Sequence, residues 1–141
     1  MSVTPLSLQP EAPEVLLVNI KPLDTTIFEQ RLQVDLRIRN PNDFDLEVTG
    51  LDFTLHLNDK RLARGLSNKA STIPRLGDSL LSVETTTSTL DVMRQLLNFR
   101  QDQDVTYQIE GVLHSKGTRL PFDNSGVIIE ADQLPGSSTG P

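Results

Sequence analysis

Strict alternation of apolar and polar residues constrains this chain more than any other feature. Leu32, Val34, Leu36 and Ile38 alternate with Gln33, Asp35, Arg37 and Arg39. Leu51, Phe53, Leu55 and Leu57 alternate as cleanly with Asp52, Thr54, His56 and Asn58. A period of two puts one set of side chains on each face of a strand, and no helix presents such a pattern. The apolar run from Val15 to Ile20, the stretches around Leu62–Leu66, Leu81–Thr85 and Val105–Leu113, and a last strand through Leu120, Phe122 and Ile128 extend the series. Asn58-Asp59 and Ser115-Lys116-Gly117 carry the turn chemistry that joins neighbouring strands as hairpins. The pattern predicts an all-β fold, an antiparallel β-sandwich of about seven strands. One stretch departs from it. Leu90, Met93 and Leu97 recur at helical spacing with Leu96 beside them, Ser88 or Thr89 is placed to cap, and Asp91 falls in the first turn. A short helix is expected near residues 89–98, packed over an end or edge of the sheets.

At 141 residues the chain is long enough for one domain with a real core, and its 36 % hydrophobic and 23 % charged residues are those of a globular protein. With aromatics at 4 % and no Trp, that core must come from Leu, Val and Ile. Pro5, Pro10 and Pro13 mark residues 1–13 as an extended lead-in, residues 14–130 form the domain, and residues 131–141 read as a flexible tail. A net charge of −6, with no basic run, argues against nucleic acid as a partner. Absence of cysteine removes disulfides, thiolate catalysis and zinc–sulfur sites. No apolar run approaches the roughly 18 residues of a membrane span. The start lacks the basic, apolar and small-residue sections of a signal peptide.

Asn40-Pro41-Asn42 interrupts an otherwise regular strand. Pro41 has no amide hydrogen and forces Asn40 away from helical geometry, so ladder pairing stops there. The apolar phase is the same before the break, at Ile38, and after it, at Phe44, Leu46 and Val48. Both Asn side chains therefore fall on the core-facing phase, where an amide is costly unless hydrogen-bonded. A bulge or tight loop is expected, with both amides bonded to nearby backbone, as a structural device rather than a ligand site. The phase flips between Val48 and Leu51, with a second bulge or turn expected at Gly50.

Set among Phe28-Glu29-Gln30-Arg31-Leu32, Leu36-Arg37-Ile38-Arg39 and Gly50-Leu51-Asp52-Phe53, the Asn-Pro-Asn motif resembles the WHy (water stress and hypersensitive response) domain of type 2 late-embryogenesis-abundant proteins. Leu57–Gly65, Arg75-Leu76-Gly77, Tyr107–Gly111 and Leu120-Pro121-Phe122 continue the likeness over about residues 13–130. The resemblance implies an immunoglobulin- or fibronectin III-like sandwich, a bacterial-type member, a link to dehydration, cold and defence, and no catalytic site or cofactor. Bacterial relatives often carry an N-terminal signal. The expected location is the cell envelope or periplasm if such a segment lies upstream, and the cytoplasm otherwise.

Other chemistry is thin. His56 and His114, the only histidines, fall on the outward phase of separate strands, without the converging partners a metal site needs. Asp43, Asp45 and Glu47 make a line rather than a calcium cage, and Asp102 and Asp104 flank a loop. Thr85–Thr89 offers hydroxyls but on one short twisted strand, unlike a flat ice-binding array. No serine has an evident general base and no glycine loop suits a phosphate. The leading expectation is a non-catalytic, monomeric protein that limits damage to proteins or membranes during desiccation, cold or freezing. Its contacts with client proteins or membrane surfaces would be weak and non-specific, made through loops such as 68–78. The alternative is a cell-envelope module with one specific partner.

Overall fold

The period-two stretches become long antiparallel strands wrapped around one apolar interior. The computed structural model describes residues 10–97 and 103–129. Within them the elements run β1 (Glu14–Thr25), β2 (Glu29–Arg39), β3 (Leu46–Val48), β4 (Gly50–Leu57), β5 (Lys60–Ser67), β6 (Ser71–Ile73), β7 (Asp78–Ser88), α1 (Thr89–Leu97), β8 (Val105–Ser115) and β9 (Thr118–Ile129). The expected tail at 131–141, residues 1–9 of the lead-in, and Asn98 at the end of the expected helix lie outside the described residues.

Seven strands form one sheet in the order β1-β2-β7-β5-β4-β8-β9, and β3 and β6 form a separate two-stranded ribbon. Every pairing is antiparallel. A sandwich splits its strands between two facing sheets; here hydrogen bonding passes from one end of the order to the other. The join between β5 and β7 is narrow, with only Arg64↔Thr86 and Gly65↔Thr85 paired. The sheet is thus a three-stranded half and a four-stranded half meeting at a short seam. It curls far enough that β1 also packs on β9, where Asn124 Nδ2 donates to the Val15 carbonyl at 2.9 Å.

The inner face holds Leu32, Val34, Leu36 and Ile38 of β2, Leu51, Phe53, Leu55 and Leu57 of β4, and Tyr107, Ile109 and Leu113 of β8, all buried. Leu46, Val48 and Ile73 of the ribbon close one end of the same core. Each such side chain contributes about 1.5–3 kcal/mol by leaving water, and aliphatic burial is the main source of stability in a fold with few aromatics. Two-residue turns set the hairpin registers. Asn58 and Asp59 both have positive φ (48° and 67°), as do Lys116 and Gly117 (46° and 79°), the geometry whose twist matches flanking strands.

Two expectations need correction, at Phe44 and at the helix, and the break expected at Gly50 gains its physical reason. Phe44 does not continue the apolar phase into the core; it lies exposed, because the chain turns between Asn40 and Leu46 before the ribbon starts. The phase flip at Gly50 marks passage from the ribbon to the main sheet, with Thr49 N bonded to the His114 carbonyl at 2.8 Å. The helix is present, but Leu90, Met93, Leu96 and Leu97 point outward, while Gln95 is buried and Val92 packs against the core.

Candidate functional site

Asn40, Pro41 and Asn42 sit where β2 leaves the sheet, and the two amides form the most densely bonded polar group among the described residues. Asn40 is 2 % exposed and Asn42 6 %. Asn40 Nδ2 donates toward three carbonyls, those of Phe44 at 2.8 Å, Ile73 at 3.1 Å and Pro74 at 3.2 Å. Its Oδ1 accepts from both the backbone N and the Nδ2 of Asn42, each at 3.0 Å. Asn42 then reaches the other way: its Oδ1 accepts from Glu11 N at 2.7 Å, and its Nδ2 donates to Glu11 O at 3.2 Å. The side-chain amide thereby mimics a strand neighbour for Glu11 and holds the segment before β1.

Backbone bonds close the same knot. Asn40 N donates to the Gly77 carbonyl at 2.8 Å, Leu76 N to the Asn42 carbonyl at 3.0 Å, and Gly77 N to the Pro74 carbonyl at 2.9 Å. Leu76 adopts a positive φ of 54° within this turn. The 68–78 segment is accordingly no free loop: it contains β6, and its second half is tied to the motif. Arg75 adds an ion pair with Asp43 at 2.9 Å, and its backbone N donates to Asp45 Oδ1 at 3.0 Å. A shallow groove of about 690 Å³ runs beside the motif, walled by Glu14, Arg39, Pro41 and Asp78. Arg39 and Glu14 pair across it at 3.1 Å. Both amides of the motif turn their polar atoms to protein rather than into this groove.

The remaining candidates disperse. Glu47 pairs with Lys116, so the acidic line Asp43, Asp45, Glu47 is divided among separate basic or backbone partners. Among the described residues no three acidic or histidine side chains gather as a metal site, and Asp102 lies outside them. His114 Nε2 stands 3.5 Å from Asp52 Oδ2 on the outer face of the sheet. His56 is on that face too but half-buried, and its Nδ1 is enclosed without a partner. Thr85 and Thr87 turn inward, Thr85 Oγ1 bonding the Leu32 carbonyl at 3.4 Å and Thr87 Oγ1 the Leu62 carbonyl, so the hydroxyls form no continuous outer row. A second groove of about 710 Å³ carries Asp52, Glu110 and Asp123 beside Thr54 and Val112.

Sequence reasoning missed one polar cluster. On the outer face of β2, Asp35 accepts from Ser82 Oγ at 2.7 Å and Gln33 Nε2 at 2.9 Å, with Asn19 Nδ2 at 3.4 Å. The Ser82 bond, then the Gln33 bond, hold its carboxyl below the usual value of 3.8 against a smaller effect of burial. Alternation places Asp35 outward, but only the β2–β7 register, which aligns Asp35 with Ser82, identifies its partner.

The family model described as late embryogenesis abundant protein matches residues 35–126. No curated protein matches the chain by sequence. Among solved structures, the solution structure of AT1g01470 from Arabidopsis thaliana superposes with a TM-score of 0.66 at 14 % identity, covering 86 % of this chain and 83 % of that one. A protein from Archaeoglobus fulgidus follows with a TM-score of 0.47 at 13 % identity, over 81 % of this chain and 97 % of that one.

Proposed function

From the premise that the chain belongs to the late embryogenesis abundant family, we propose that it is a non-catalytic stress-response protein that protects labile proteins or membranes during drying, cold or freezing. The family match over residues 35–126 carries this reading. The Asn-Pro-Asn segment supports it in its WHy-like form. In this reading the motif is a structural lock, because each polar atom of its two side chains is already committed to protein and the core side chains of β3 and β6 depend on its turn. Protection then belongs to the surface of a stable fold. The acidic balance of −6 keeps copies apart and screens partly unfolded clients from one another. The protein acts as a monomer and takes no cofactor.

Recovery of a cold-labile enzyme after repeated freeze–thaw and drying, at near-equimolar protein, tests the reading against an inert globular protein of similar size and charge. Recovery above that control is expected. Recovery equal to the control for both an enzyme and dye-loaded vesicles sinks it.

A further inference from the structure

Helix α1 is built inside out for a surface helix. Its sheet-facing side carries Gln95, only 3 % exposed, whose Nε2 donates to the Lys60 carbonyl at 2.7 Å. Leu90, Met93, Leu96 and Leu97 span an arc of about 120° on the opposite side at 100° per residue, and all are exposed. The β1–β2 turn adds Ile27 and Phe28. This turn is fastened to the helix start by Thr89 N to the Phe28 carbonyl at 2.9 Å and Thr89 Oγ1 to the Thr26 carbonyl at 3.0 Å. Ile27, Phe28 and Leu97 are 83, 79 and 82 % exposed. With roughly 200 Å² accessible on each large apolar side chain, the six expose on the order of 800 Å², above the 300–600 Å² of a monomer's usual largest patch.

Beside the apolar arc, the helix and the β4–β5 hairpin enclose a groove of about 340 Å³ lined by Lys60, Arg61, Asp91, Arg94 and Gln95. Three of the five are basic, in a chain that is acidic as a whole. Lys60 and Arg61 make no ion pair among the described residues, and Gln95 Oε1 is buried there without a partner.

We infer that this end of the molecule docks on a phospholipid bilayer, with Ile27, Phe28, Leu90, Met93, Leu96 and Leu97 entering the headgroup–acyl boundary and Lys60 and Arg61 meeting lipid phosphates. The inference rests on the protective reading above and names the membrane as one surface protected. An apolar face flanked by basic side chains is the pattern of an interfacial helix. A second copy fits less well. A two-fold interface must be self-complementary, whereas Ile27, Phe28 and Leu97 project with about four-fifths of their surface free and the adjoining groove is charged rather than an apolar pocket to receive them. A bilayer deforms around projecting groups.

Flotation of the full chain with phosphatidylcholine vesicles, with and without phosphatidylglycerol, tests this. Association is expected with both, tighter and salt-sensitive with phosphatidylglycerol. The double substitution F28E/L97E, at positions outside the core, should weaken it at least tenfold while circular dichroism stays unchanged. Lys60→Gln and Arg61→Gln should each cost about fivefold on the anionic vesicles only, the roughly 1 kcal/mol of one basic residue near the surface. No flotation, or flotation indifferent to F28E/L97E, overturns the inference. So does a sedimenting dimer that F28E/L97E disperses in the absence of flotation, since the face would then belong to a second copy. Absence of vesicle binding by the unaltered chain, with enzyme protection intact, defeats the docking alone. Binding without protection of enzyme or vesicles defeats the protective reading instead.

Discussion

Asn40 shows how one side chain can specify a turn. Its amide carries four hydrogen-bonding valences, two donors and two acceptors. Both acceptor positions are used by Asn42, and the donors are aimed at carbonyls from both sides of the chain break, Phe44 in the loop and Ile73 and Pro74 at the end of β6. Truncation would strip partners from buried backbone groups, each costing about 1–3 kcal/mol, rather than merely delete one contact. Asn40→Ala is therefore expected to lower stability by about 3 kcal/mol or more in urea titration, whereas Pro41→Ala, at an exposed position, should cost far less. A loss under 1 kcal/mol for Asn40→Ala would remove the structural role of the motif. The sequence exposed half of this arrangement. Phase alone put both amides on the inner side, and the cost of burying them required backbone partners. It did not say which, because the carbonyls of Ile73 and Pro74 stand more than thirty residues away and come close only through the β3–β6 pairing.

At the scale of elements, legibility followed periodicity. Strands with four or more alternating apolar positions, β2, β4 and β8, were evident, whereas β3 and β6 are three residues each and too short to show a period. The helix exposes a different limit. A stripe of Leu and Met identifies the apolar side, but pairing that side with the parent sheet is an assumption, and here Val92 and Gln95 face the sheet instead. The grouping of strands turned on the β5–β7 seam, which alternation cannot see. Gly65 permits it: a Cβ there would come within 2.4 Å of the Phe53 ring and 2.9 Å of Thr85 Cγ2. Beyond the two residue pairs, the side chain of Thr87 takes over from the ladder by donating to the Leu62 carbonyl. Thr87→Val keeps the shape and removes that donor, so it should cost about 1 kcal/mol. Its signature is faster amide hydrogen exchange confined to β5 and β7, with β4 and β8 unchanged. Uniform acceleration in all four strands would mean that the seam is no separate unit.

The whole molecule depends on tying its first described residues to the turn that follows β2. The Pro-rich residues 1–13 read as an extended lead-in; within them Pro13 is buried and Glu11 gives both backbone groups to Asn42. Glu11 is thus held by a side chain thirty-one positions later, and that side chain leans on Asn40. Composition marks the lead-in as extended because proline removes ladder donors, and a single Asn amide can replace a strand neighbour at one position without any ladder. If the tie is one interaction, its two ends cannot be lost twice. Removal of residues 1–11 and Asn42→Ala should each destabilise by about 1–3 kcal/mol, and the combination by clearly less than their sum. The coupling is read from urea midpoints of the four proteins in one buffer. Additive losses would mean that Asn42 acts only through Asn40 and that the segment before β1 is held by Pro13 alone. A coupling above about 1 kcal/mol would establish that the motif closes the fold by binding the segment before β1, which is why the amides are buried where β2 leaves the sheet.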